Sequence, residues 1–221
     1  MYNNDGYYSR PQINIPPVVK NLLIVNILVF FTQMLLPAGI KEWFYSTFAL
    51  SFPLSVRTAF QTVSYMFMHA NFSHLLFNMF ALWMFGRIVE YDLGSKRFLT
   101  YYLVCGVGAA LIQLAVNYVE ISSLIAQGYT RLPRFTTVGA SGAVFGLLLA
   151  YGMIHPNNVV MLMFPPIALK AKWFVVIYGV LELMGGVASS GSNVAHFAHL
   201  GGMLFGYLLL RYWKKKNQIW Y

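Results

Sequence analysis

Ser141 stands in GASGAVFG, residues 139–146, between small residues and inside an otherwise apolar stretch. Small residues also serve plain helix packing, so the motif alone decides nothing. A serine hydroxyl becomes a nucleophile when a neighbouring base takes its proton, and histidine, with an unperturbed pKa of about 6.5, is the usual base. Two segments offer one. HANFSHLLFN, residues 69–78, carries His69, His74 and Asn78, and the last two, four apart, share a helical face. HFAHLGGMLFG, residues 196–206, carries His196 and His199. His199, Gly202 and Gly206, at i, i+3 and i+7, lie on one face of a helix. Gly202/Gly206 and Gly142/Gly146 are small-xxx-small pairs of the kind that let helix backbones approach closely. If these two surfaces pack, the Ser141 hydroxyl and the His199 imidazole come within reach. Charge developing on an attacked carbonyl oxygen needs fixed donors, which His74, Asn78 and the Ser141 backbone N–H near a helix start can supply.

The acid of a triad is the missing part. Of Asp5, Glu42, Glu90, Asp92, Glu120 and Glu182, only Glu182 falls well inside an apolar segment. The expected machinery is therefore a Ser–His dyad. An isolated acid in a membrane can snorkel, stay protonated or bond a neighbour, and all three stay open for Glu182.

The elements that must position these residues are written in the composition. The 221 residues are 58% hydrophobic, 17% aromatic and 10% charged, with mean hydropathy +0.60. Soluble domains carry roughly 25% charged residues, so this chain is built for lipid. Its single cysteine, Cys105, excludes an internal disulfide framework. A spanning helix needs about 20 apolar residues, and six stretches approach this, at about 18–38, 63–87, 97–119, 139–154, 172–188 and 196–213. The fourth is short, and it holds Ser141. Its N-terminus is expected in a recess, because non-helical backbone at membrane depth must face protein or water.

The expected fold is all-α: a polytopic membrane protein of six transmembrane helices with a short central fourth helix. Residues 18–213 form the membrane domain, 1–17 a flexible cytoplasmic tail without a cleavable signal, and 214–221 a basic cytoplasmic tail. With the N-terminus inside, Arg10, Lys20, Arg87, Lys96, Arg97, Lys170, Lys172, Arg211, Lys214, Lys215 and Lys216 are cytoplasmic, and Lys41, Arg57, Arg131 and Arg134 are outside. That division, 11 against 4 of the 15 basic residues, obeys the positive-inside rule. The net charge of +9 thus points to topology and anionic lipid rather than nucleic acid. Trp43, Trp173, Trp213 and Trp220 read as interfacial belt residues.

The sequence resembles the rhomboid intramembrane serine proteases, in their minimal six-helix bacterial form, from about residue 54 to 213. GASGAVFG resembles the family's G-x-S-G-x-x-x-G motif and AHLGGMLFG its A-H-x-x-G-x-x-x-G motif. HANFSHLLFNM resembles its second-helix segment, and GRIVEYDLGSKRFLTYY the connection between its second and third helices. The resemblance implies Ser141 as nucleophile, His199 as base and His74 with Asn78 as oxyanion donors. It implies that Gly139 and Gly142 shape the serine loop, and that His69 is structural or organises water. Transmembrane substrates cleaved near their outer end, a plasma-membrane location and an active site opening to the outer side follow, with no cofactor and no metal. Two positions depart from the pattern. Phe60-Gln61 replaces a frequent tryptophan-arginine pair in the first external loop, and Phe145, where the family often has an aromatic residue stacked on the catalytic imidazole, can stack but has no hydroxyl.

Rival readings weigh less. His196 points about 60° away from His199 by helical spacing and is expected to be structural. His155, beside Pro156, is expected to cap a helix end on the cytoplasmic side. A metalloenzyme built on His69, His74, His196 and His199 lacks the His-Glu-x-x-His motif and an accompanying carboxylate, and leaves Ser141 and Asn78 unexplained. A non-catalytic rhomboid-like binder of membrane proteins typically loses the serine or the histidine, and this chain keeps both.

Overall fold

A computed structural model describes residues 15–161, 166–188 and 196–219. The N-terminal tail with Asp5 and Arg10, and the belt residue Trp220, lie outside the described residues. Helix α1 (Pro17–Leu35) starts on a proline, whose missing N–H is harmless in a first turn. α2 (Ala38–Phe48) follows at once. A two-residue strand β1 (Leu50–Ser51) and the short α3 (Gln61–Ser64) complete the first connection. α4 (Phe72–Ala81) runs through a π-helical turn at Leu82–Gly86 into α5 (Arg87–Leu93). Gly94, at φ +75°, makes the reversal into α6 (Ser95–Ala126), in a left-handed conformation that favours glycine. Strand β2 (Thr136–Thr137) precedes α7 (Ser141–Ile154). A hairpin of β3 (Val159–Met161) and β4 (Ala168–Lys170) leads to α8 (Ala171–Ala188), and α9 (His196–Lys215) closes the bundle.

Among the described residues, three helical segments, Pro17–Leu35, Phe72–Leu93 and Ser95–Ala126, are long and apolar enough to cross a bilayer. Large apolar side chains such as Leu28, Leu35, Phe77 and Met184 point outward, as a lipid-facing surface requires. α6, at 32 residues, is about 48 Å long and so overreaches a hydrocarbon core of about 30 Å. α7 has 14 residues, nine of them buried, and packs against α4, α5, α6, α8 and α9.

Glu90 holds the entry to α1. Its carboxylate, 2% exposed, accepts the Val18 and Val19 backbone N–H groups at 3.0 and 2.7 Å and the Ser95 hydroxyl at 2.6 Å. A helix N-terminus leaves amides without partners, and an acid from another helix satisfies two of them.

Three expectations change. The segment expected as one span over 63–87 is broken: residues 68–71 are non-helical, and α4 starts at Phe72 with the Asn71 side chain accepting the His74 N–H at 2.8 Å. His69 therefore lies just before the helix rather than in it. Residues 39–48, outside the six expected spans, belong to α2. Trp213 is not a belt residue but is 7% exposed and packs against Tyr101, ring centroids 6.3 Å apart. Trp43 and Trp173 are exposed.

Candidate active site

The glycine surfaces of α7 and α9 meet. A Cβ on Gly202 would collide with the Gly142 carbonyl oxygen and stand 2.6 Å from its carbon. A Cβ on Gly146 would press on Cys105 of α6 and lie 3.2 Å from the Gly202 carbonyl oxygen. The Tyr101 hydroxyl of α6 donates to the Gly146 carbonyl at 2.8 Å. Backbone thus packs on backbone, with α6 as the floor.

This contact brings Ser141, the first residue of α7, to α9. Ser141 Oγ lies 2.8 Å from His199 Nε2. Phe145, one turn further along α7, lies parallel to the imidazole, with centroids 4.3 Å apart and planes 7° apart. The stack limits the ring to its own plane while leaving both nitrogens free for edge contacts.

The loop before Ser141 is set from two sides. Antiparallel pairing of Leu50 with Thr137 and Ser51 with Thr136 ties it to the first connection. The Gly139 N–H donates to the Tyr65 carbonyl at 2.9 Å. Gly139, at φ +125°, has no room for a side chain: a Cβ there would meet His74 Cε1 at 2.6 Å and Nε2 at 2.7 Å. The His74 ring thus lies beside the backbone that leads into Ser141. His69 packs edge-on to His74, centroids 5.1 Å apart, and its backbone is held by Gln33 and Tyr45. Asn78 is buried, with its Nδ2 donating to the His74 carbonyl at 3.0 Å, so it braces the turn that carries His74. The Ser141 N–H lies in the first turn of α7, where helical amides have no intrahelical acceptor.

Glu182 has a partner that spacing along the chain did not disclose. Its Oε2 lies 2.7 Å from His196 Nδ1 and 2.9 Å from His199 Nδ1. The contact with His196 is a directed hydrogen bond; that with His199 is close but off the N–H axis. This corrects the view that no carboxylate accompanies the histidines. Glu182, His196 and His199 present ligand atoms within 4.8 Å of one another, a set able to hold a metal ion. Four-coordinate zinc, with bonds of about 2.0–2.1 Å, sets its ligand atoms about 3.3 Å apart. Separations of 2.7 and 2.9 Å are shorter than that, as when carboxylate and imidazole touch directly.

Gln61, noted only as a departure, ties the first connection together. Its Nε2 donates to the Ser46 and Thr47 carbonyls at 3.1 and 3.0 Å, and its Oε1 accepts the Ser51 N–H at 3.1 Å. A buried side-chain amide here was not recognisable from sequence. His155 caps the C-terminus of α7, its Nε2 2.7 Å from Asp92 Oδ2.

An apolar helical bundle with serine and imidazole joined across two glycine faces defines a class of membrane protein with hydrolase-type side chains. Residues 56–216 match the Rhomboid domain, and the chain belongs to the rhomboid family. It is 28% identical over 215 residues to Rhomboid protein 1, mitochondrial, of Saccharomyces cerevisiae, covering 91% of this chain and 58% of that one. It is 30% identical over 148 residues to Rhomboid protease AarA of Providencia stuartii, covering 65% and 52%. With Putative rhomboid protease YdcA of Bacillus subtilis it shares 26% over 197 residues, covering 89% and 88%. The chain therefore spans little more than half of the first two relatives and most of the third.

Proposed function

We propose that this protein is an intramembrane serine endopeptidase that cleaves transmembrane helices of other membrane proteins near their outer ends. The observation that carries the reading is the 2.8 Å approach of Ser141 Oγ to His199 Nε2 in a chain of the rhomboid family. In this reading α1, α4–α5, α6, the short central α7, α8 and α9 are six spans. An even number puts both termini on one side, and the basic residues put that side in the cytoplasm. The site then opens outward in the plasma membrane, with membrane lipid and substrate helices as its partners and no cofactor.

The geometry supports acyl transfer through serine. His199 Nε2 takes the Ser141 proton as Oγ attacks the scissile carbonyl carbon, giving a tetrahedral adduct with its negative charge on oxygen. The Ser141 N–H and the His74 ring are the donors for that oxyanion, with Asn78 bracing His74. The adduct collapses, His199 delivers its proton to the leaving amine, and an acyl-Ser141 remains. Water, deprotonated by His199, then releases the acid and restores the serine. Gly139 leaves room for the His74 ring, and Gly142 packs on Ala109 of α6; small residues suit the cleavage point of a substrate segment that has unwound, because an intact helix shields its peptide bonds.

The test is cleavage in proteoliposomes of a single-span substrate carrying small residues near its outer end. Wild type is expected to yield two membrane fragments, and Ser141→Ala none. Equal cleavage by both overturns the serine reading.

A further inference from the structure

Among the acidic residues inside the bundle, Glu90 is occupied by the N-terminus of α1. Glu182 is engaged by imidazoles instead. Its carboxylate, on a side chain 15% exposed, reaches the Nδ1 atoms of two histidines at once, while the opposite nitrogen of one of them, His199 Nε2, faces Ser141. The order along the contacts is hydroxyl, imidazole, carboxylate, imidazole.

The surroundings are shaped for this arrangement. Gly185, three residues after Glu182 on α8, leaves space for the His196 ring: a Cβ there would stand 2.6 Å from His196 Cε1 and 2.9 Å from Nδ1. Phe145 holds the His199 ring in plane. The roughly 60° between His196 and His199 on α9, with one residue on each side of the carboxylate, lets both rings converge on one oxygen.

We propose that Glu182, anchored by His196, is the positioning carboxylate of His199, so that Ser141, His199 and Glu182 work as a triad rather than as a dyad. The inference rests on the serine-protease reading above. A carboxylate at Nδ1 keeps the proton there, which leaves the Nε2 lone pair facing the Ser141 hydroxyl, and it stabilises the imidazolium that forms when Nε2 takes the serine proton. Without it the imidazole is free to carry its proton on Nε2, where it donates to the serine instead of accepting. His196 fixes the carboxylate through the better-directed of the two contacts. Glu182 touches no reacting atom; it acts through His199.

The experiment is steady-state cleavage of a transmembrane substrate in proteoliposomes by wild type, Glu182→Gln and Gly185→Ala. Glu182→Gln is expected to lose about 100-fold in kcat, less than the ~10⁴-fold seen when a fully aligned triad carboxylate is made an amide, with KM changed less than about threefold. Its rate of inactivation by a fluorophosphonate, which needs the activated serine but no substrate binding, is expected to fall in proportion. Gly185→Ala pushes His196 off the carboxylate without altering any group of the triad, and a loss of about 10-fold in kcat is expected, again at unchanged KM. Proteins are to be compared at equal folded concentration, checked by thermal melting. A purely structural role would lower the melting temperature and leave kcat per folded molecule unchanged. That result, or Glu182→Gln turning over within about threefold of wild type while Ser141→Ala is dead, overturns the triad and leaves the protease standing. Activity lost to EDTA and restored by zinc would show that the three residues hold a metal instead.

Discussion

Adding one methyl group at Gly202 should disable the site without touching a reacting residue. A Cβ there collides with the Gly142 carbonyl oxygen and stands 2.6 Å from its carbon and 3.2 Å from the Gly142 Cα. All three are backbone atoms, so no rotamer change relieves the clash. Restoring ordinary contact of 3.4 Å to the carbon alone takes 3.4 − 2.6 = 0.8 Å, and the oxygen needs more. α7 and α9 must therefore separate by about 1 Å, an overpacking that costs about 1–3 kcal/mol. Ser141 adjoins Gly142 and His199 lies one turn before Gly202, so their 2.8 Å contact opens with the helices. A misplacement of about 1 Å can cost 100-fold in rate. We expect Gly202→Ala to lose about that much cleavage and Gly202→Val to be inactive, both still inserting in the membrane and both poorly labelled by a fluorophosphonate. Gly179→Ala is the control, because its nearest side-chain contact is Met203 Cε at an ordinary 3.4 Å. Wild-type labelling and cleavage by Gly202→Ala would refute the claim that this backbone contact sets the Ser141–His199 distance.

In the proposed mechanism serine and base act as one unit, so Ser141→Ala, His199→Ala and the double variant should be about equally inactive; cleavage rates that multiply would separate the two residues. His74→Ala should lose about 100- to 1,000-fold in turnover, the scale of one oxyanion donor, and Asn78→Ala much less, since Asn78 bonds the His74 carbonyl; kcat with several substrates reads this, and the reverse order would exchange their roles. Glu90→Ala should lower stability by about 2–4 kcal/mol, because Val18, Val19 and Ser95 lose a charged acceptor; thermal melting reads it, and an unchanged melt would mean that α1 is held elsewhere.

How far the sequence could be read depended on whether the information was local. The glycine pairs that follow Ser141 and His199 repeat at helical spacing, so the contact faces of α7 and α9 are legible in the sequence. The stacking partner Phe145 came from the family resemblance, not from the glycine spacing. The break at residues 68–71 was less visible: an apolar stretch hid it, although Asn71 was an available N-cap signal. α2 escaped because its 11 residues have no single apolar run long enough to mark a span. Glu182 is the instructive case. An acid inside a membrane needs a partner, but the partners lie on another helix, and spacing along one helix carries no record of which helix packs beside it. Trp213 misled in the opposite sense, since a terminal tryptophan looks interfacial until Tyr101 is seen to cover it.

The account stands on Ser141 being a nucleophile made reactive by His199. The most direct measurement is peptide mass mapping of the protein after reaction with a fluorophosphonate in membranes. A single adduct on the peptide carrying Ser141, absent from His199→Ala, is the expected result. An adduct on another residue, or undiminished modification of Ser141 in His199→Ala, would contradict it.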